Sequence, residues 1–101
     1  SSAFFDGYMH NLWLQYPSTF QIGVVNYLSN HDTARIMTAI GMGDDYSVKI
    51  KKSAIAAVLL FTFPGTPMVY YGDEIGMEGG SDPDCRKCME WDETLWEHSQ
   101  T

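Results

Sequence analysis

Asn30, His31 and Asp32 stand side by side after a short apolar run, Val24, Val25, Tyr27 and Leu28. An ionised carboxylate is a strong hydrogen-bond acceptor, and a neutral imidazole keeps one ring N–H to donate. The run before them reads as a short buried strand. A His-Asp pair at the carboxyl end of such a strand is where barrel enzymes keep their working side chains. The pattern returns further along, where Pro64-Gly65-Thr66-Pro67 leads into Met68-Val69-Tyr70-Tyr71 and ends in Gly72-Asp73-Glu74. Two strands with polar tips, joined by a helical crossover, make one βαβ unit.

Other side chains could do chemistry, each with a plainer role beside it. Asp73 and Glu74 are adjacent carboxylates, but neighbours on a strand-like segment point to opposite faces and make a poor catalytic pair. Arg35 suits anchoring a neighbouring carboxylate. Arg86 sits in a long loop, where ligand contact and a loop-stapling salt bridge are both open. Asp82-x-Asp84 lacks the EF-hand spacing with its glycine and terminal glutamate, so it implies no calcium. Cys85 and Cys88 are the only cysteines, and a structural zinc site needs two further ligands at matching spacing. They follow a turn, Ser81-Asp82-Pro83-Asp84, rather than a strand that opens a redox helix. Two reduced thiols in a cytoplasmic protein is the default, with no cofactor and no metal.

The elements that position these groups are few. Residues 3–16 carry Phe5, Met9, Leu12 and Tyr16 at helical spacing, with Ser2 to cap the start and Pro17 to stop it. A strand near 24–29 follows, then the Asn30-His31-Asp32 loop. Gly41-Met42-Gly43-Asp44-Asp45 is a turn that precedes a helix over 46–62. That helix is polar where it begins (Lys49, Lys51, Lys52) and reads as buried where it ends. A second strand is expected near 68–71, short and apolar as parallel strands covered on both faces are. Gly76 to Trp91 reads as an irregular loop. Helix, strand, helix, strand with loops at the strand ends is an α/β rhythm.

With 101 residues the chain forms at most one small domain, treated as a single unit over 1–101. The formal charge is −7, and most of the acids lie between Asp73 and Glu97. That repels a phosphate backbone, which argues against nucleic acid and favours a neutral substrate. The longest mostly apolar run, 54–63, is half the roughly 20 residues needed to span a bilayer, so no membrane partner is expected. Among the aromatics, Trp13, Tyr70, Tyr71 and Trp96 read as packing residues. Trp91, between Glu90 and Asp92, is the one worth testing against a sugar.

The run Tyr27-Leu28-Ser29-Asn30-His31-Asp32-Thr33-Ala34-Arg35 resembles the last motif of the α-amylase superfamily, glycoside hydrolase family 13. The run Pro64 to Met77 is similar to that family's eighth-strand segment. Gly79 to Lys87 resembles the neopullulanase and cyclomaltodextrinase branch. The resemblance spans most of residues 20–92.

It implies that the strand before Asn30 is the seventh of a (β/α)₈ barrel, the strand before Gly72 the eighth, and the helix at 3–16 the sixth barrel helix. It further implies a retaining glycosidase or transglycosidase acting on α-glucans such as maltodextrins, cyclodextrins or pullulan. Asp32 would be the transition-state-stabilising carboxylate, His31 its neighbour on the same sugar ring, and Arg86 a residue of the loop that approaches bound sugar. The family's nucleophile and acid/base carboxylates map to strands four and five, which this chain does not match.

Two parallel strands do not close a barrel of about 250 residues, and both would leave pairing edges exposed. The expectation is a fragment that hydrolyses nothing alone. The alternative is a non-enzymatic domain that oligomerises to cover its strand edges.

Overall fold

A computed structural model describes residues 2–92. Helix α1 runs Ser2–Leu14 and α2 runs Ser18–Gly23. Strand β1 (Val25–Tyr27) follows, then helices α3 (Ile36–Ile40) and α4 (Tyr46–Thr62), strand β2 (Thr66–Met68), and single 3₁₀ turns at Asp73–Ile75 and Asp84–Arg86. β1 and β2 pair in parallel, with Val25 opposite Thr66, Asn26 opposite Pro67 and Tyr27 opposite Met68. The α4 crossover between them makes the expected βαβ unit. No described helix is long and apolar enough to cross a membrane.

Local chemistry sets several boundaries. α1 stops at Leu14, two residues short of the expected end. Its last turn tightens through Gln15 N–H to Leu12 O and Tyr16 N–H to Trp13 O (both 3.2 Å) ahead of Pro17. Pro17 then opens α2, a helix the apolar pattern does not announce. Its carbonyl accepts from Phe20 N (2.9 Å) and Gln21 N (3.3 Å). α3 is likewise unannounced, being five residues between Arg35 and Gly41. Gly65 has φ +122°, and a Cβ there would lie 2.6 Å from Asn26 Nδ2 and 2.7 Å from Val24 O. Only glycine lets the chain pass so close to β1 as it enters β2.

Three expectations are corrected. The second strand lies at 66–68 rather than 68–71. The Tyr71 carbonyl that would extend the ladder instead accepts from Arg35 Nη1 at 2.5 Å, and Tyr70 O accepts from Asp73 N, so the chain has already turned. β1 is not buried, because Val25 and Tyr27 are both about half exposed. The second half of α4 is not buried either. Ile55, Val58, Leu59 and Phe61 are exposed and only Leu60 is enclosed, with α3 and β2 the elements that pack most against this helix.

The buried residues gather beyond the strand ends instead. Met37, Met77 and Cys85 are enclosed there, together with two polar residues, Ser29 and Arg35. Below the sheet, Trp13 packs against Phe63 with ring centres 5.7 Å apart.

Candidate active site at the strand ends

The chain leaves β1 at Tyr27 and is shaped at once by Asn30. Its Oδ1 accepts from Asp32 N (2.9 Å), Thr33 N (3.0 Å) and Thr33 Oγ1 (3.0 Å). An asparagine side chain that takes up the amides two and three residues on is an Asx turn. It lifts His31 and Asp32 onto the surface, each 66% exposed, with His31 Nε2 3.4 Å from Asp32 Oδ1.

Arg86 reaches this pair from the loop after β2. Its Nε donates to His31 O at 2.8 Å, and its Nη2 lies 3.5 Å from Asp32 Oδ1 and 3.0 Å from Asp82 Oδ2. Beside it, the buried Cys85 Sγ contacts the same carbonyl at 3.2 Å. The three residues singled out in the sequence, Asp32, His31 and Arg86, therefore meet in one place. The salt-bridge role left open for Arg86 is realised, and Asp82 is its unforeseen partner. The i, i+4 spacing of Asp82 and Arg86 was the available signal, obscured because it lies in a loop rather than a helix.

Beneath the surface pair lies a buried ionic layer. Arg35 has no solvent exposure. Its guanidinium sits 4.7 Å from the Tyr70 ring centre and 4.6 Å from that of Tyr71, with Nη1 3.5 Å from Asp73 Oδ1. The anchoring role expected of Arg35 is observed, and its partner is Asp73. At 3.5 Å the pair is ionic without a direct hydrogen bond to Asp73 Oδ1. Burial pushes the Asp73 carboxyl above its ordinary value, outweighing the Ser29 hydrogen bond and the Arg35 charge, which favour the ionised form. Burial also raises the Tyr70 phenol, helped by its contact with Tyr71.

Asp73 occupies a 3₁₀ turn between two left-handed glycines, Gly72 (φ +86°) and Gly76 (φ +72°), rather than the strand-like segment expected. Its carboxylate faces Arg35 while Glu74 stays exposed, so the two do not converge as a catalytic pair.

Cys85 is buried and Cys88 exposed, both as free thiols. No group of three metal-ligating side chains forms among the described residues. Trp91 is 77% exposed, and Trp96 and His98 lie outside the described residues.

Residues 7–98 match the alpha-amylase catalytic domain family. A cyclomaltodextrinase of Geobacillus thermopakistaniensis is 44% identical over 103 residues, covering 97% of this chain and 16% of that protein. A cyclomaltodextrinase of a Bacillus species is 49% identical over 79 residues, 78% of this chain and 13% of that protein. Among solved structures, the cyclic α-maltosyl-(1→6)-maltose hydrolase of Arthrobacter globiformis superposes with a TM-score of 0.71 at 40% identity, over 87% of this chain and 19% of that one. The chain thus spans less than a fifth of each of these three proteins. Its βαβ unit corresponds to part of a TIM barrel, and the chain belongs to the alpha-amylase catalytic domain family.

Proposed function

We propose that this chain carries the transition-state-stabilising part of a retaining active site that works on α-glucosidic bonds in maltodextrins or cyclic maltodextrins. In barrel terms it supplies the sixth helix through the eighth strand. Asp32 accepts hydrogen bonds from sugar hydroxyls, His31 donates to the same ring, and Arg86 orients both. The observation that carries this is the exposed His31–Asp32 pair, raised by Asn30 at the carboxyl end of β1 and braced by Arg86.

The chemistry follows from charge. An oxocarbenium-like transition state draws electrons from the ring, so hydrogen bonds to its hydroxyls strengthen as it forms. A bond to a charged acceptor contributes about 1.5–3 kcal/mol, and each ~1.4 kcal/mol is tenfold in rate. Losing two such bonds in Asp32→Ala slows a complete enzyme by roughly two to four orders of magnitude. The test is turnover of maltooligosaccharides by a longer chain that contains this segment, with and without Asp32→Ala. Unchanged turnover would overturn the assignment.

The retaining nucleophile and acid/base come from outside residues 1–101. Retention needs two carboxylates about 5–5.5 Å apart, one of them protonated when the bond breaks. Asp32 and Asp82 both lie against Arg86 Nη2, an arrangement that suits anchoring. The free cysteines fit a reducing compartment such as the cytoplasm.

The exposed apolar residues of α4 and β1 support a second reading, a stand-alone domain that covers its sheet edges by self-association. A defined oligomer with a cooperative melt would favour it, and a broad melt of an aggregating chain would count against it.

A further inference from the structure

Tyr71 is tied at both ends. Its carbonyl accepts from Arg35 Nη1 at 2.5 Å, and the Arg35 guanidinium lies 4.6 Å from its ring centre. At the other end its phenol donates to Lys87 O at 2.7 Å. The neighbouring Tyr70 phenol reaches Cys85 O at a longer 3.4 Å. Cys85 and Lys87 flank Arg86, so the two phenols grip the backbone on either side of it. Arg86 in turn donates through Nε to His31 O at 2.8 Å, and its Nη2 lies 3.5 Å from Asp32 Oδ1.

These contacts close a circuit. From Arg35 it runs through Tyr71 to the Lys87 carbonyl, along the backbone to Arg86, across to His31 O, and back along the chain to Arg35. Each non-covalent link in it is a hydrogen bond between identified atoms.

We propose that Tyr71, with Tyr70 beside it, is a positioning residue of this site: its hydroxyl holds the turn at Asp84–Arg86 where Arg86 meets His31 O and Asp32. The proposal rests on Asp32 and His31 being the sugar-facing pair.

The surroundings of Arg86 make that hold matter. Its side chain is about half exposed, so packing does little to fix a long, flexible arm, and the placing of its backbone decides what its fork can reach. The 3₁₀ turn that carries it is three residues long, closed by Arg86 N to Pro83 O (2.9 Å) and Lys87 N to Asp84 O (3.3 Å). So short a turn keeps its place through bonds to other segments, and Tyr71 supplies one from 16 positions away. Tyr71 thus acts on His31 and Asp32 through Arg86.

The test is a double-mutant cycle on maltooligosaccharide hydrolysis by a longer chain in which this segment completes an alpha-amylase catalytic domain. The variants are Tyr71→Phe, Arg86→Lys and the two together. Phenylalanine keeps the ring and carbonyl that face Arg35 and removes only the hydroxyl, while lysine keeps a charge but has no Nε donor. Tyr71→Phe should lower kcat and kcat/KM together by about three- to tenfold, as expected for one hydrogen bond felt in the transition state. In the Arg86→Lys background the same change should cost less than about twofold. A Tyr71→Phe enzyme as active as wild type, or an equal loss in both backgrounds, would overturn the proposal, since plain loss of folded enzyme lowers turnover equally in both. Should Tyr71→Phe fail to fold, Tyr70→Phe decides by the same comparison, with a smaller loss expected from its longer bond. Asp32→Ala in the same chain separates the two claims. Turnover that survives it breaks the sugar-facing reading; turnover lost with it, beside a Tyr71 effect that ignores Arg86, breaks this proposal alone.

Discussion

The two ends of this chain's sheet are built differently. Beyond the strand ends, loops carry their own interior: Met37, Met77 and Cys85 are enclosed there with Ser29 and the Arg35–Asp73 pair, where Ser29 Oγ and Arg35 Nη1 are hydrogen-bonded while Arg35 Nε, Arg35 Nη2 and Asp73 Oδ1 are buried as an ion pair without hydrogen-bond partners. Around the sheet itself the reverse holds. Val25, Tyr27, Ile55, Val58 and Phe61 are apolar and exposed, and an open cavity of about 350 Å³ between Leu28, Ala57, Phe61 and Val69 is filled by nothing in the described chain. The site end is self-supporting, while the layer end presents a surface suited to further protein. The lesson is that a barrel's working loops can hold their shape through local polar packing, whereas its strands and helices depend on neighbours.

Substitutions at the two ends should therefore differ sharply. The largest effect is expected for Arg35→Ala, which strands the Asp73 carboxylate in the interior. Breaking a buried pair by removing one partner costs about 3–5 kcal/mol, read as a fall in the denaturant midpoint. Met37→Ala, which leaves a cavity in the same cluster, should cost about 2–5 kcal/mol by the same measurement. On the bare face, Val58→Lys or Ile55→Lys should change stability by no more than about 0.5 kcal/mol and improve solubility. A large loss there would mean that the face is covered, by self-association or otherwise, and the contrast would collapse.

A finer test uses pH. Asp73 has a folded value raised above the ordinary 3.8, so the folded chain holds that proton more tightly than the unfolded one. Its contribution to stability is then greatest below the ordinary value and is lost as pH rises through the raised one. Asp73→Asn should flatten that decline in a series of melts across the acid range. A decline as steep as in wild type would assign it to another group.

Much of the site was legible in the residues. Asn30-His31-Asp32 is a contiguous run, so its side chains can be read together before their surroundings are known. Arg35 as an anchor also followed from residue type and position, whereas for Arg86 the residues left ligand contact and a loop staple both open. The α4 span was readable because its turn cluster and helical run are long and uninterrupted. What escaped was decided by distant partners. The end of β2 is set by Arg35 capturing the Tyr71 carbonyl from 36 positions away, which an apolar run through Tyr71 conceals. α3 is five residues long, and its first amide is satisfied by the Ser29 hydroxyl rather than by any local signal. Exposure of β1 and α4 was misjudged because apolar sequence reports a need for cover, not its source.

The central claim is that residues 1–101 hold one part of a glycosidase site and not a whole one. The most direct measurement is hydrolysis of maltooligosaccharides by the purified 101-residue chain beside its Asp32→Ala variant, followed by release of reducing ends. The account predicts no turnover above background from either. Hydrolysis by the chain that Asp32→Ala abolishes would contradict it, because a complete set of catalytic carboxylates would then have to assemble from these residues alone.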